Sequence, residues 1–131
     1  MILDTGGGEY SEHHVIHELY HLIEYRYRTI DDRDWERIFG SEGYAGSYAE
    51  DLMSSAPGSG GPGFVNAYSR TFPHEDRAEL FMFMILEPEA LARIMDDTLE
   101  KKTRFVIDKC HRLLMWQPSF PLGETKRPSH P

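Results

Sequence analysis

Cysteine is nearly missing from this chain: Cys110 stands alone among 131 residues. A single thiol excludes an intramolecular disulfide and a cysteine-rich zinc cluster. Bases are scarce too, 14 against 22 acids, which gives a formal charge of −8. A nucleic-acid binder needs a basic face against phosphates, so no nucleic-acid partner is expected. No apolar run approaches the roughly 20 residues of a membrane span. The opening residues do not read as a charged-then-apolar leader, which leaves secreted and cytoplasmic settings both open and the oligomeric state unset. What remains is a globular balance, 40% hydrophobic and 27% charged, in a length suited to one domain. Against these shortages histidine is plentiful. There are seven, and His13, His14, His17 and His21 crowd one short stretch.

The pattern predicts a mainly helical fold with little sheet. Met1 to Thr5 suits one short strand before a glycine turn. Ser11 reads as the N-cap of a helix running to about Arg28, with Val15, Ile16, Leu19, Leu22 and Ile23 at helical spacing. Asp31 or Asp32 caps a second helix that Gly40 ends. Residues 41–63 are rich in glycine and proline; within them 54–63, SSAPGSGGPG, read as a mobile loop, and Tyr48 to Met53 as a short helical turn. Thr71 is the expected cap of an apolar helix with Pro73 in its first turn. Pro88 breaks that helix, and further helices run to about Trp116. Residues 1–116 form the expected domain, and 117–131, with four prolines, a loosely attached tail.

Residues 17–21 read His-Glu-Leu-Tyr-His, an H-E-x-x-H motif. On a helix, i and i+4 share one face with Cβ atoms ~6 Å apart. Two imidazoles so placed can reach one zinc at about 2.0–2.1 Å. Glu18 between them can take the proton of a zinc-bound water, whose pKa zinc lowers to about 7. The bland alternative is a polar helix whose histidines face solvent.

A catalytic zinc needs a third protein ligand. A metzincin would place Gly and His where Glu24 and Tyr27 stand. A thermolysin-like E-x-x-x-D would put Asp after Glu42, where Gly46 stands. Glu75 and Glu79, one turn apart on the helix after Pro73, are the remaining candidates: one can ligate while the other orients a histidine.

The segment from Tyr68 to Phe81, with Arg70, Thr71, Glu75, Ala78 and Glu79 in register, resembles the second motif of the lethal-factor-type zinc metallopeptidases, a gluzincin group. Gly63-Phe64-Val65 resembles a further signature of bacterial relatives, and Glu24 matches an acid common there. The resemblance covers roughly residues 13–86. It implies an α+β zincin-like domain in which an active-site helix packs on a glutamate helix. It implies one zinc per chain, held by His17, His21 and Glu75, with Glu18 as general base and Tyr68 as donor to the oxyanion. Glu79 and Glu24 would support the ligands from behind. Two features depart from the pattern: Tyr20 replaces a usual glycine, and only 16 residues precede His17 where the family has a sheet. The chain is then either a reduced domain with a truncated sheet or a piece of a longer protein.

The expected activity is hydrolysis of a peptide or protein substrate, a basic or neutral one by the sign of the charge. The alternative is a non-catalytic, metal-stabilised protein-binding module derived from such a peptidase. A helical interaction domain without metal stands behind both. His13 reads as solvated near the helix start and His74 as a polar residue of a cap region. The run Phe81 to Leu86 reads as a buried central helix, and Cys110 as core. The loop 57–63 lacks the Gly-Lys-Ser/Thr of a phosphate loop, which argues against nucleotide.

Overall fold

A computed structural model describes residues 8–27, 32–116 and 118–122. Helix α1 spans Gly8–Tyr27, α2 Asp32–Phe39, α3 Pro73–Leu86, α4 Pro88–Ile94 and α5 Asp97–Leu114, with 3₁₀ turns at Glu50–Leu52 and Tyr68–Arg70. The described residues are mainly helical and hold no strand. The strand expected over Met1 to Thr5 lies outside them. No described helix is long and apolar enough to cross a membrane.

α3 is the axis of the fold, with α1, α2, α4 and α5 packed around it. Its residues from Glu75 to Met84 are all buried, as expected of an apolar central helix. The core adds Tyr20 from α1, Trp35 from α2, Leu91 from α4, and Leu99, Val106 and Cys110 from α5.

Helix ends follow backbone chemistry. The cap of α3 falls on Phe72, extended at φ −150° and ψ 152°, and not on Thr71 as the sequence suggested. A residue before proline is driven out of the helical region, so Phe72 must be the boundary. Thr71 belongs to the preceding turn and donates its hydroxyl to the Tyr68 carbonyl at 2.8 Å. α1 likewise starts at Gly8, one turn before Ser11, since neither Glu9 nor Tyr10 opposes a helix. Gly40 ends α2 at φ +92°, as expected. Asp96 caps α5, accepting from the Leu99 amide at 2.8 Å. Met115 ends it in the left-handed region, short of Trp116.

One expectation of looseness fails. Residues 57–63 are tied down: Gly58 N–H donates to the Val65 carbonyl (2.8 Å), Arg70 to the Gly60 carbonyl (2.8 Å) and Lys102 to the Gly63 carbonyl (2.8 Å). The glycines serve close approach, since a Cβ on Gly60 would sit 2.2 Å from the Asn66 carbonyl oxygen. In the tail, Pro118 is buried and Phe120 and Leu122 pack on the core; residues 123–131 lie outside the described part.

Candidate metal centre

α1 and α3 lie side by side. Each carries a pair of polar residues one turn apart on the shared face: His17 and His21 on α1, Glu75 and Glu79 on α3. His17, Glu75 and Glu79 are almost wholly buried. Burial of two carboxylates is costly unless each is bonded, and here each is.

Three donor atoms converge. His17 Nε2 is 2.8 Å from Glu75 Oε1, His21 Nε2 is 3.0 Å from the same oxygen, and the two Nε2 atoms are 3.1 Å apart. Three tetrahedral donors at 2.0–2.1 Å from one zinc stand about 3.3–3.4 Å from each other. The observed triangle is slightly tighter, and small side-chain rotations open it. Among the described residues this is the group of three able to hold a metal ion.

The proton inventory supports the same reading. A carboxylate only accepts, so the 2.6 Å contact of Glu79 Oε2 with His17 Nδ1 places a proton on Nδ1. Neutral His17 then turns an Nε2 lone pair toward Glu75 Oε1 and His21 Nε2. A lone pair turned toward a carboxylate is relieved by a cation between them. Without metal that cation is a proton: burial opposes charging His17, but Glu75 and Glu79 outweigh it and push its pKa up to about 9. Burial likewise works against a charged Glu75, yet bonds from His17, His21 and Tyr48 hold its carboxyl well below the usual range. A dication answers the same need, with Glu79 orienting the histidine behind it.

Tyr68 stands beside this group, its ring centroid 6.0 Å from that of His17. Burial and the Glu75 charge push its phenol well above its ordinary pKa, so it keeps a proton to donate. Glu18 is exposed on the rim of a cleft of about 760 Å³ that also borders His17, Tyr68 and Glu79. Met53, Met82 and Phe83 supply the apolar part of its lining.

Glu24 is placed elsewhere. It accepts two bonds from Arg77 at 2.6 and 2.9 Å and so clamps α1 to α3, without reaching either histidine. Tyr20, the bulky residue beside His21, packs in the core against Phe81 at 5.0 Å and does not line the cleft. His13 is not simply solvated: its Nε2 donates to Glu87 at 2.8 Å on the cleft wall. His74 donates to Asp32 at 2.9 Å.

Two residues of the site escape a reading by motif. Asn66 is fully buried and donates to Glu79 Oε1 at 2.6 Å, extending the chain of bonds behind His17. Its position directly after Gly63-Phe64-Val65 is the one signal that points to it. Tyr48 donates to Glu75 Oε2 at 2.6 Å from within the segment rich in glycine and proline. A larger cleft, about 1020 Å³, lies between α2, residues 62–64 and the start of α5. It lacks converging donors, and Lys102 already occupies the face of its Phe64, 4.0 Å from the ring centroid.

Comparison with protein-family models, with curated proteins and with solved structures finds no match to this chain.

Proposed function

We propose that this chain is a zinc-dependent metallopeptidase domain of zincin type, mainly helical with little sheet, with α1 and α3 as its metal-carrying helix pair. The observation that carries the proposal is the meeting of His17, His21 and Glu75 donor atoms within 3.1 Å of one another, beside a cleft that His17, Glu18 and Tyr68 border.

Zinc held by His17, His21 and Glu75 would polarise the scissile carbonyl and make a bound water acidic enough to react near neutral pH. Glu18 would take one proton from the attacking water as its oxygen adds to the carbonyl carbon. Tyr68 donates a hydrogen bond to the oxyanion as the carbonyl π bond opens. Glu18 then returns the proton to the amide nitrogen, the C–N bond breaks, and the products are a carboxylic acid and an amine. Glu79 and Asn66 keep His17 in the tautomer that leaves Nε2 free. The Met53, Met82 and Phe83 wall offers an apolar side chain of the substrate a place to bury.

Zinc stoichiometry and cleavage of a peptide library, measured on wild type and Glu18→Gln, test the proposal. Wild type should hold one zinc and cleave; the variant should hold the same zinc and cleave nothing, because an amide takes no proton. Equal cleavage by the variant would sink the mechanism. One zinc per chain with no cleavage of any peptide would favour the metal-stabilised binding module instead.

A further inference from the structure

Glu75 meets its surroundings through two different oxygens. Oε1 faces the histidine nitrogens, while Oε2 accepts a hydrogen bond from the Tyr48 phenol at 2.6 Å. His74 Nε2 stands 3.7 Å from Oε2, beyond hydrogen-bond range, and its ring is already bonded to Asp32; the Tyr68 phenol, beside Tyr48, also bears on Glu75.

Tyr48 arrives from a segment with no regular structure, yet its position is built. The Ala45 amide donates to the Arg70 carbonyl (2.8 Å) and the Gly46 amide to the Thr71 carbonyl (2.9 Å), which pins the segment along the approach to α3. Gly46, at φ +72°, makes the turn that follows. The Tyr48 ring then lies against Phe72 (4.9 Å) and alongside Tyr68 (6.0 Å, planes 28° apart). Half of the residue stays in contact with solvent, and its hydroxyl reaches inward to the buried Glu75.

The two oxygens matter because a carboxylate can bind a metal through one or both. A catalytic zinc has three protein ligands and one open position. A glutamate that swings onto the ion with both oxygens crowds that position and, with water bound there, raises the coordination number to five. We propose that Tyr48 is a positioning residue whose phenol, by holding Oε2, makes Glu75 a one-oxygen ligand and keeps the fourth metal position open. This assignment rests on the metal-site reading above and adds to it a residue outside both motifs.

Cobalt(II) is the probe, since it accepts the same donors and its visible absorption reports coordination number. Wild type, Tyr48→Phe and the control Ser47→Ala, an exposed neighbour, are titrated with cobalt(II), and helicity and melting are followed to confirm the fold. The inference expects tight binding and an intense four-coordinate spectrum in wild type and the control. Tyr48→Phe should bind about 10- to 100-fold more weakly, with the weaker absorption of a five-coordinate ion. A variant that matches wild type in affinity and spectrum overturns the role of Tyr48 and leaves the metal site standing. Weaker binding with an unchanged spectrum also overturns it, since the phenol would then only steady the loop. Wild type that takes up no cobalt overturns the metal site itself and this inference with it.

Discussion

At the scale of single residues, the site is a chain of oriented bonds running from the protein interior to the half-exposed Tyr48. Asn66 holds Glu79, Glu79 holds His17, and His17 faces Glu75, whose far oxygen is held by Tyr48. Removing a bond behind a metal ligand commonly costs 10–100-fold in metal affinity. Glu79→Gln is therefore expected to weaken zinc binding by about that factor, read by competition with a chromophoric chelator. The amide still fits the space, so helicity should hold. Unchanged affinity would mean that Glu79 does not orient His17. H-E-x-x-H is legible in the sequence because its spacing along a helix is the chemistry; spacing leaves Glu75 and Glu79 both open, and only the family resemblance singles out Glu75. Tyr48 and Asn66 are not legible, because their reach to Glu75 and Glu79 depends on how a loop folds back, which local pattern does not record.

At the scale of elements, the boundary of α3 and the glycine loop explain how those bonds are held. Phe72 caps α3 because Pro73 follows it, a rule readable in the sequence that outweighs the better capping chemistry of Thr71. The loop 57–63 carries the composition of a flexible linker, but its glycines admit backbone against backbone. Gly60 packs on Asn66 so closely that a Cβ would meet its carbonyl at 2.2 Å. Gly60→Ala should destabilise the protein by about 1–3 kcal/mol through overpacking. It should also weaken zinc binding, because the shift passes through Asn66 to Glu79. Urea denaturation with a parallel zinc titration checks both; a stable variant with full affinity would show the loop to be independent of the site. The same composition thus hides two opposite behaviours, and only the contacts of Gly60 and Gly63 separate them.

At the scale of the whole molecule, α3 gathers four buried charges, three of them partnered from α1 and one from α5. Glu75 meets α1 and the Tyr48 segment, Asp76 meets Lys102 of α5, Arg77 meets Glu24 and Asp32, and Glu79 meets His17 and Asn66. The mainly helical class follows from periodicity, and the central place of the Phe81 to Leu86 run from its unbroken apolar character. The pairing of Arg77 with Glu24 and Asp32 joins residues more than 40 positions apart, and no spacing rule connects them.

Cys110, buried in the core, reports on this assembly. Burial, with the Glu24 charge behind it, pushes its thiol from 9.0 up to about 11. The folded state then holds a proton that the unfolded state loses above pH 9, so this contribution is full below pH 9 and falls away as pH rises toward 11. Denaturation curves of wild type and Cys110→Ala across that range should converge with rising pH; parallel curves would contradict the assignment.

The claim on which the account turns is that His17, His21 and Glu75 hold one metal ion. X-ray absorption of the zinc-loaded protein, with zinc content measured on the same sample, tests it most directly. The expected result is one zinc per chain with two imidazole nitrogens at about 2.0–2.1 Å and a carboxylate oxygen at about 2.0–2.2 Å, lost in Glu75→Ala. Protein purified without chelators that carries no zinc and takes up none, or a zinc shell unchanged in Glu75→Ala, would contradict it.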